Sequence, residues 1–379
     1  MRILYVINGF HPGGAEHGLY TLLRTGFFAG HELKLFGLCR GRGDLANAAS
    51  ACVGKENLIL ASEREHLTWI ACIRGLFAIV RLLWQWRPDM VVLSLKQANL
   101  VGRLAAILGP CPRCVSFEHI TRYRARHGEH LYGPLLKTLS WRVDEIWSDC
   151  DATLQSTQIY FLPRKRNHHV VPLFVGEERS PFKQDYKAHQ PLRLAAAGRL
   201  TARKRFGLAL EAVRLLADRG VIADLDIFGD GPERSSLIRK ARELGIGERV
   251  RFHGYLSAWS AQAIDMDIFL NLSETEGFCI VVAEAMLAGL PVIATDVGGI
   301  GDYGTDGENM LKLPSPSAGA LATSIVRLAE DESLRRRLGR QARTDVLRRY
   351  SVKALRERAL SVLGPPMAKG MKAAGLVKG

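Results

Sequence analysis

The chain has 379 residues, 47% hydrophobic and 24% charged, with a net charge of +14. Such a length suits two or three domains, and the composition is that of an ordinary globular protein with proper cores. No stretch reaches the roughly 18 uncharged apolar residues of a membrane span, and seven scattered cysteines argue against a disulfide framework and for a reducing compartment.

Short β-rich apolar runs alternate with longer helical patterns from the N-terminus onward. "MRILYVIN" enters a strand-like pattern directly rather than a signal peptide, so a cytoplasmic protein is expected. Strand candidates in the first half are 2–8, 32–38, 57–61, 90–95, 113–119, 145–149 and 168–173. After the first comes "NGFHPGGAEHG" (8–18). Its Gly13 and Gly14 let the backbone approach a ligand, and the helix that follows offers free N–H groups to an anion. A tight turn explains the same pair. The loop is not the G-x-G-x-x-G fingerprint, which argues against a nicotinamide or flavin.

Residues 67–86 read as a core-facing helix, with Arg74 and Arg81 seven apart on one narrow polar stripe. "CPRC" (111–114) is a lone C-x-x-C without a second pair, so zinc is not expected. The segment 119–142 mixes Arg122, Arg124, Arg126, Lys137 and Arg142 with Tyr123, Tyr132, Leu135, Leu136 and Trp141. Such a mixture attracts anionic lipid headgroups or nucleic acid, or is simply a solvated basic face.

A polar stretch with three prolines, 172–191, separates the halves and reads as a linker. Beyond it, strand candidates recur at 192–198, 223–229, 249–255, 264–273, 291–297 and 310–314. Their continuous apolar character fits strands covered on both faces, hence two doubly wound parallel sheets with a cleft between two domains. The expected layout is a Rossmann-like domain over 1–175, a linker over 176–190, a second Rossmann-like domain over 191–345, a C-terminal helix over 346–364 able to pack back on the first domain, and a flexible tail over 365–379.

Ligands of doubly wound sheets bind at loops outside the carboxyl ends of the strands. "AAAGRLTARKRFG" (195–207) ends a strand at Gly198 and then carries Arg199 and Lys204, two cations suited to a diphosphate at a helix start. "IFGDGPE" (227–233) adds Gly229 and Gly231 at another turn. The richest loop is "SETEGFCIVVAEAM" (273–286), where a helix is expected from about Gly277–Phe278 to Gly289. The N–H groups of Gly277, Phe278 and Cys279 would then be free for phosphate. Glu276 and Glu284 would stand roughly 12 Å apart along the axis, a spacing that suits a molecule with hydroxyls at each end and a pyrophosphate between. A nucleotide sugar has that layout.

"EGFCIVVAEAM" resembles the E-x7-E motif of family 4 glycosyltransferases, retaining enzymes of the GT-B fold. "GRLTARK" is similar to the family's G-R-L-x-x-x-K, "IFGDGPE" to its G-D-G-P, "PGGAE" to its N-terminal glycine loop and "PVIATDVGGIGD" to the segment after the E-x7-E helix. The likeness is strongest over 191–315. Two departures stand out: Arg205 where glycine is common, and Asp302 where glutamate is usual.

The resemblance implies two Rossmann-like domains facing a central cleft, the first on the acceptor side and the second on the donor side. It implies that Glu276 holds the donor sugar's hydroxyls, Glu284 the ribose, and Arg199 and Lys204 the diphosphate, with the Gly13–Gly14 loop and His119 turned to the donor from the first domain. Transfer would retain the anomeric configuration without a covalent intermediate. The donor would be a nucleotide sugar, UDP-sugars before GDP-mannose, and the acceptor a saccharide, lipid-linked if the basic segment 120–142 meets an anionic membrane at the cytoplasmic face. No nucleic-acid partner, cofactor or metal is expected, since D-x-D at Asp149/Asp151, Asp224/Asp226 and Asp265/Asp267 recurs in unrelated contexts. A nucleotide-sugar epimerase on the same scaffold would need no acceptor. A non-enzymatic basic protein on membrane or nucleic acid would explain the charge but not the Glu, Arg and Lys constellation.

Overall fold

Thirteen strands form at the thirteen places the apolar runs predict, in a computed structural model that describes residues 1–119 and 132–365. The chain divides into two units, Met1–Leu173 together with the chain from Lys353 onward, and Phe174–Val352.

In the first unit the elements run β1 (Arg2–Ile7), α1 (Gly14–Arg24), β2 (Glu32–Gly37), α2 (Leu45–Val53), β3 (Leu58–Leu60), α3 (Trp69–Trp86), β4 (Met90–Ser94), α4 (Lys96–Leu108), β5 (Cys114–Glu118), α5 (Tyr132–Thr138), β6 (Glu145–Ser148), α6 (Asp151–Thr157) and β7 (Asn167–Val170). The sheet order is β3-β2-β1-β4-β5-β6-β7 and the pairings are parallel. Every residue of β4 and β5 is buried, which explains why these runs lack the alternation of a half-exposed strand. Succession reverses between β1 and β4, so the loops after these two strands flank a topological switch point.

The second unit repeats the plan with β8 (Leu192–Ala197), α7 (Phe206–Asp218), β9 (Ala223–Phe228), α8 (Arg234–Glu243), β10 (Val250–Gly254), α9 (Trp259–Gln262), β11 (Ile268–Asn271), α10 (Ile280–Leu287), β12 (Val292–Thr295), α11 (Ile300–Tyr303), β13 (Leu311–Leu313), α12 (Ala318–Glu330) and α13 (Glu332–Tyr350). Its order is β10-β9-β8-β11-β12-β13, again parallel. The switch point lies between β8 and β11. The loops after these strands carry Lys204 and Glu276. A final helix, α14 (Val352–Leu363), is tied to the first unit: Arg358 donates to the Val170 carbonyl at 2.7 Å and Arg113 to that of Val362 at 2.9 Å.

Three expectations need correction. The stretch 176–190 is not a free linker. Lys183 and Tyr186 are buried, the Tyr186 hydroxyl donates to Gly289 O at 2.9 Å, and Arg343 lies over the Phe182 ring at 4.1 Å. Its polar composition hid two aromatics that pack against the second unit. The boundary at 345/346 falls inside α13, which runs on to Tyr350 before the chain turns at Ser351. Finally, α3 is not simply core-facing. Ala71, Gly75, Ile79 and Leu83 are buried, while Trp69, Phe77 and Trp84 are exposed.

Candidate functional site

Lys204 and Glu276 meet although 72 residues separate them. Lys204 closes a single turn (Ala202–Lys204) after β8, and its Nζ donates to Glu276 Oε1 at 2.6 Å. Burial opposes the Glu276 charge, but the ammonium beside it prevails and holds the carboxyl below its usual range. Burial likewise works against Lys204, and the neighbouring carboxylate keeps its pKa above the ordinary value. Both groups are therefore charged at neutral pH. Lys204 is engaged by Glu276, and Arg199 in the same loop is exposed.

The loop carrying Glu276 is held from below. Thr295 donates its hydroxyl to Ser273 O at 2.7 Å, Gly299 N–H to Gly277 O at 2.7 Å, and Tyr303 its hydroxyl to the carbonyls of Phe278 and Cys279. Gly298 sits at φ +55°, in the left-handed region, and a Cβ there would strike the Glu276 and Gly277 carbonyls. The helix begins at Ile280 rather than Gly277–Phe278, so the axial spacing expected between the two glutamates does not apply to residues 276–279. The expected ligand contact of Phe278 is through its backbone N–H; its side chain serves the fold. It is buried against Phe174, Tyr303 and Tyr350 and anchors the loop. Cys279 takes φ +63° at the N-cap of α10 and is buried too.

Glu284, one turn into α10, accepts from the Trp259 indole N–H at 2.6 Å. Burial pushes its carboxyl up to about 7, partly offset by that hydrogen bond. Gly229 is also needed for packing between loops. At φ +143°, a Cβ there would run into the Gly198 carbonyl, and Gly231 abuts the Leu200 backbone in the same way. The glycines of "GRL" and "GDG" let two loops pack on each other: Gly198 donates to Phe228 O, and Leu200 to Asp230 O.

In the first unit, Gly13 caps α1 and Gly14 has open space where a Cβ would stand. His119 follows β5, its Nε2 2.8 Å from Ser94 Oγ, and its Nδ1 has no hydrogen-bond partner among the described residues. Burial lowers its pKa to about 3, so the imidazole is neutral. Arg122, Tyr123, Arg124 and Arg126 lie outside the described residues. Of the rest of that segment, Leu136 is buried and Arg142 pairs with Asp144 at 3.3 Å. Three of the aspartates in the D-x-D pairs are tied up within the fold. Asp224 and Asp226 pair with Arg251, and Asp267 with His189 at 2.9 Å. Among the described residues, no group of three or more His, Cys, Asp or Glu could hold a metal ion.

The family model for glycosyl transferases group 1 matches residues 178–345. Over 281 residues the chain is 32% identical to the lipopolysaccharide core biosynthesis glycosyltransferase LpsE of Rhizobium meliloti, covering 73% of this chain and 81% of the relative. The chain belongs to the group 1 glycosyl transferases. The amylovoran biosynthesis glycosyltransferase AmsK of Erwinia amylovora is 29% identical over 173 residues, 44% of this chain and 42% of its own. Among solved structures, Anabaena HepE in complex with UDP-glucose superposes with a TM-score of 0.76 at 18% identity, covering 96% of this chain and 99% of that one. That likeness shows the GT-B fold. As a glycosyltransferase, the protein has its Lys204–Glu276 pair at the switch point where such sheets bind ligands.

Trp259, Tyr303, Thr295 and Gly298 escaped sequence reasoning. Trp259 lies in "SAWSAQ", which matches no motif, and only the Gly298–Gly299 pair carried a visible signal. The raised Glu284 carboxyl gives a pH test. From pH 4.5 to about 7 the folded chain holds a proton that the unfolded chain has released, so stability falls as pH rises through that window. The fall is worth up to about 3 kcal/mol. Glu284→Gln should flatten the loss, read as the melting temperature from pH 5 to 8. An unchanged slope in the variant would exclude Glu284 as its source.

Proposed function

We propose that this glycosyltransferase moves a sugar, with retention and without a metal ion, from a nucleotide diphosphate sugar to a saccharide acceptor in surface-polysaccharide biosynthesis. The observation that carries the reading is the charged Lys204–Glu276 pair at the switch point of the second unit. Glu276 accepts hydrogen bonds from the sugar hydroxyls. Lys204 keeps it ionised and has further N–H donors for the diphosphate. Arg199 is exposed, which leaves its fork for phosphate oxygens. Glu284, oriented by Trp259, takes the ribose hydroxyls. The N–H groups at Gly277 and Cys279 and the turns at Gly198 and Gly229 complete the donor side. The assignment of Gly13, Gly14 and His119, which belong to the first unit, rests on the family resemblance alone.

The bond from the anomeric carbon to the diphosphate oxygen breaks with its electron pair on the leaving group. The acceptor hydroxyl forms the new bond from the same face, and its proton passes to the departing phosphate oxygen. Growing negative charge on the diphosphate is what Arg199 and Lys204 stabilise. UDP-sugars are favoured as donors, a choice supported by the UDP-glucose bound to HepE. The names of LpsE and AmsK, each tied to a surface glycan, support the acceptor class. A lipid-linked acceptor at the cytoplasmic membrane face fits the basic and aromatic residues at 120–142.

A thermal-shift screen of nucleotide sugars, followed by transfer assays, tests the reading. A donor at about a hundred times its Kd stabilises by about 2.7 kcal/mol. Donor conversion without any acceptor would favour an epimerase, and no stabilisation by any nucleotide sugar would refute donor binding. Transfer should survive EDTA; a loss restored by magnesium or manganese would overturn metal independence.

A further inference from the structure

The 18-residue helix α3 packs one stripe of small and aliphatic residues onto the first unit's sheet, so tightly that a Cβ on Gly75 would run into Leu38. Its opposite side is apolar as well. Trp69 is 72% exposed, Phe77 70% and Trp84 57%, with Ile70 and Ile73 exposed beside them. Positions 70, 73, 77 and 84 recur at helical spacing and share one side. Trp84 donates its indole N–H to Leu108 O at 3.2 Å, which joins this side to the exposed Ile107 and Leu108 at the end of α4. A continuous apolar patch of this kind on a folded domain marks an interaction surface rather than ordinary scatter.

Charge selects the partner. Arg74 and Arg81 stand on the same outward side, and Arg81 donates to Gln85 at 3.1 Å rather than to a carboxylate. Residues 67–88 contain no Asp or Glu. A second copy of this chain docked face to face would bury four guanidinium groups against each other without an acid, at high cost. A nucleic acid would answer the arginines but leave Phe77 and Trp84 in water. An anionic bilayer answers both, because its acyl boundary takes the aromatic and aliphatic side chains and its headgroup phosphates take the arginines.

We propose that the outer side of α3 docks the first unit on an anionic lipid surface, the helix lying flat with Ile73, Phe77 and Trp84 at the acyl boundary and Arg74 and Arg81 among the phosphates. The proposal uses none of the residues of 120–142 and rests on neither donor nor acceptor chemistry. Vesicle binding is read with no substrate present, so failure of the glycosyl-transfer reading would leave the result intact, and the reverse holds too.

The experiment is co-sedimentation of the full chain with phosphatidylcholine vesicles, with and without phosphatidylglycerol, at low and high salt. Binding to the phosphatidylglycerol vesicles is expected, with a blue shift of tryptophan emission. Partitioning should fall about tenfold in Phe77→Ser/Trp84→Ser through lost apolar burial, and about tenfold in Arg74→Gln/Arg81→Gln through lost headgroup attraction. These side chains are exposed, so melting temperatures should match the wild type and exclude misfolding as the cause. Wild-type-like partitioning of the apolar variant would overturn the proposal. So would a protein that ignores vesicles but forms a dimer that Phe77→Ser dissolves.

Discussion

Replacing Glu276 with alanine is expected to lower kcat/KM for glycosyl transfer by about three orders of magnitude, the scale of removing a charge-bearing group from a preorganised site. The same change leaves the Lys204 ammonium in its pocket without its 2.6 Å partner. Breaking a buried pair costs about 3–5 kcal/mol. The two side chains here keep 20% and 11% of their exposure, so about 2 kcal/mol is the appropriate scale after solvent screening. The two losses separate in a double-mutant cycle. Glu276→Leu with Lys204→Met removes both charges together and should recover most of the lost stability while staying inactive. Stability is read by denaturant titration and activity by product release. A near-wild-type rate in Glu276→Ala would refute its catalytic role, and a double variant no more stable than the single one would show that the pair is not coupled.

Most of the thirteen strands were legible because they are short apolar runs between turn residues, as parallel sheets covered on both faces produce; the edge strands β7 (Asn-His-His-Val) and β10 (Val-Arg-Phe-His-Gly) are more polar and more exposed. The helix start at Ile280 was misplaced because "EGFC" lacks a capping side chain and nothing local announces that Cys279 takes a left-handed conformation. The Lys204–Glu276 contact joins loops after β8 and β11, adjacent strands in the sheet but 72 residues apart in the chain, so no local pattern could reveal it. Trp259 is invisible for the same reason. With α3, periodicity identified a helix and the Arg74–Arg81 stripe marked a solvent side, but aromatic and aliphatic residues fill the rest of its surface, so the extent of the buried side was not legible. The small stripe at Ala71 and Gly75 decides it, and only packing shows that.

Backbone strain follows the same geography. Four non-glycine residues take positive φ among the described residues: Arg87, Leu95, Arg205 and Cys279. The last three are N-caps of α4, α7 and α10, the helices that follow β4, β8 and β11. Each such conformation costs about 1–2 kcal/mol, and strain of this kind persists where surrounding structure over-determines it, as at functional sites. Three of the four strands that flank the two switch points therefore pass into their helices through a strained residue. In the second unit both do so, and both of those turns carry a member of the charged pair.

Gly298→Ala should have the largest effect on the site of any change that leaves its chemical groups intact. Gly298 at φ +55° sits against the Glu276 and Gly277 carbonyls, so an added methyl is both strained and obstructed. The left-handed conformation costs alanine about 1 kcal/mol, and relieving the collision adds about 2 kcal/mol. About 3 kcal/mol lowers the melting temperature of a domain of this size by about 10 °C. Because the obstruction is the backbone of Glu276 itself, relief must move the carboxylate, and a misplacement near 1 Å costs about a hundredfold in rate. Gly307 supplies the control. It has φ +70° with nothing within 4 Å of an added Cβ, so Gly307→Ala keeps the strain without the collision. That variant should lose about 1 kcal/mol and no activity. Equal losses of stability and rate in the two variants, measured by thermal melting and kcat/KM, would show that the contact beneath Glu276 does not position it.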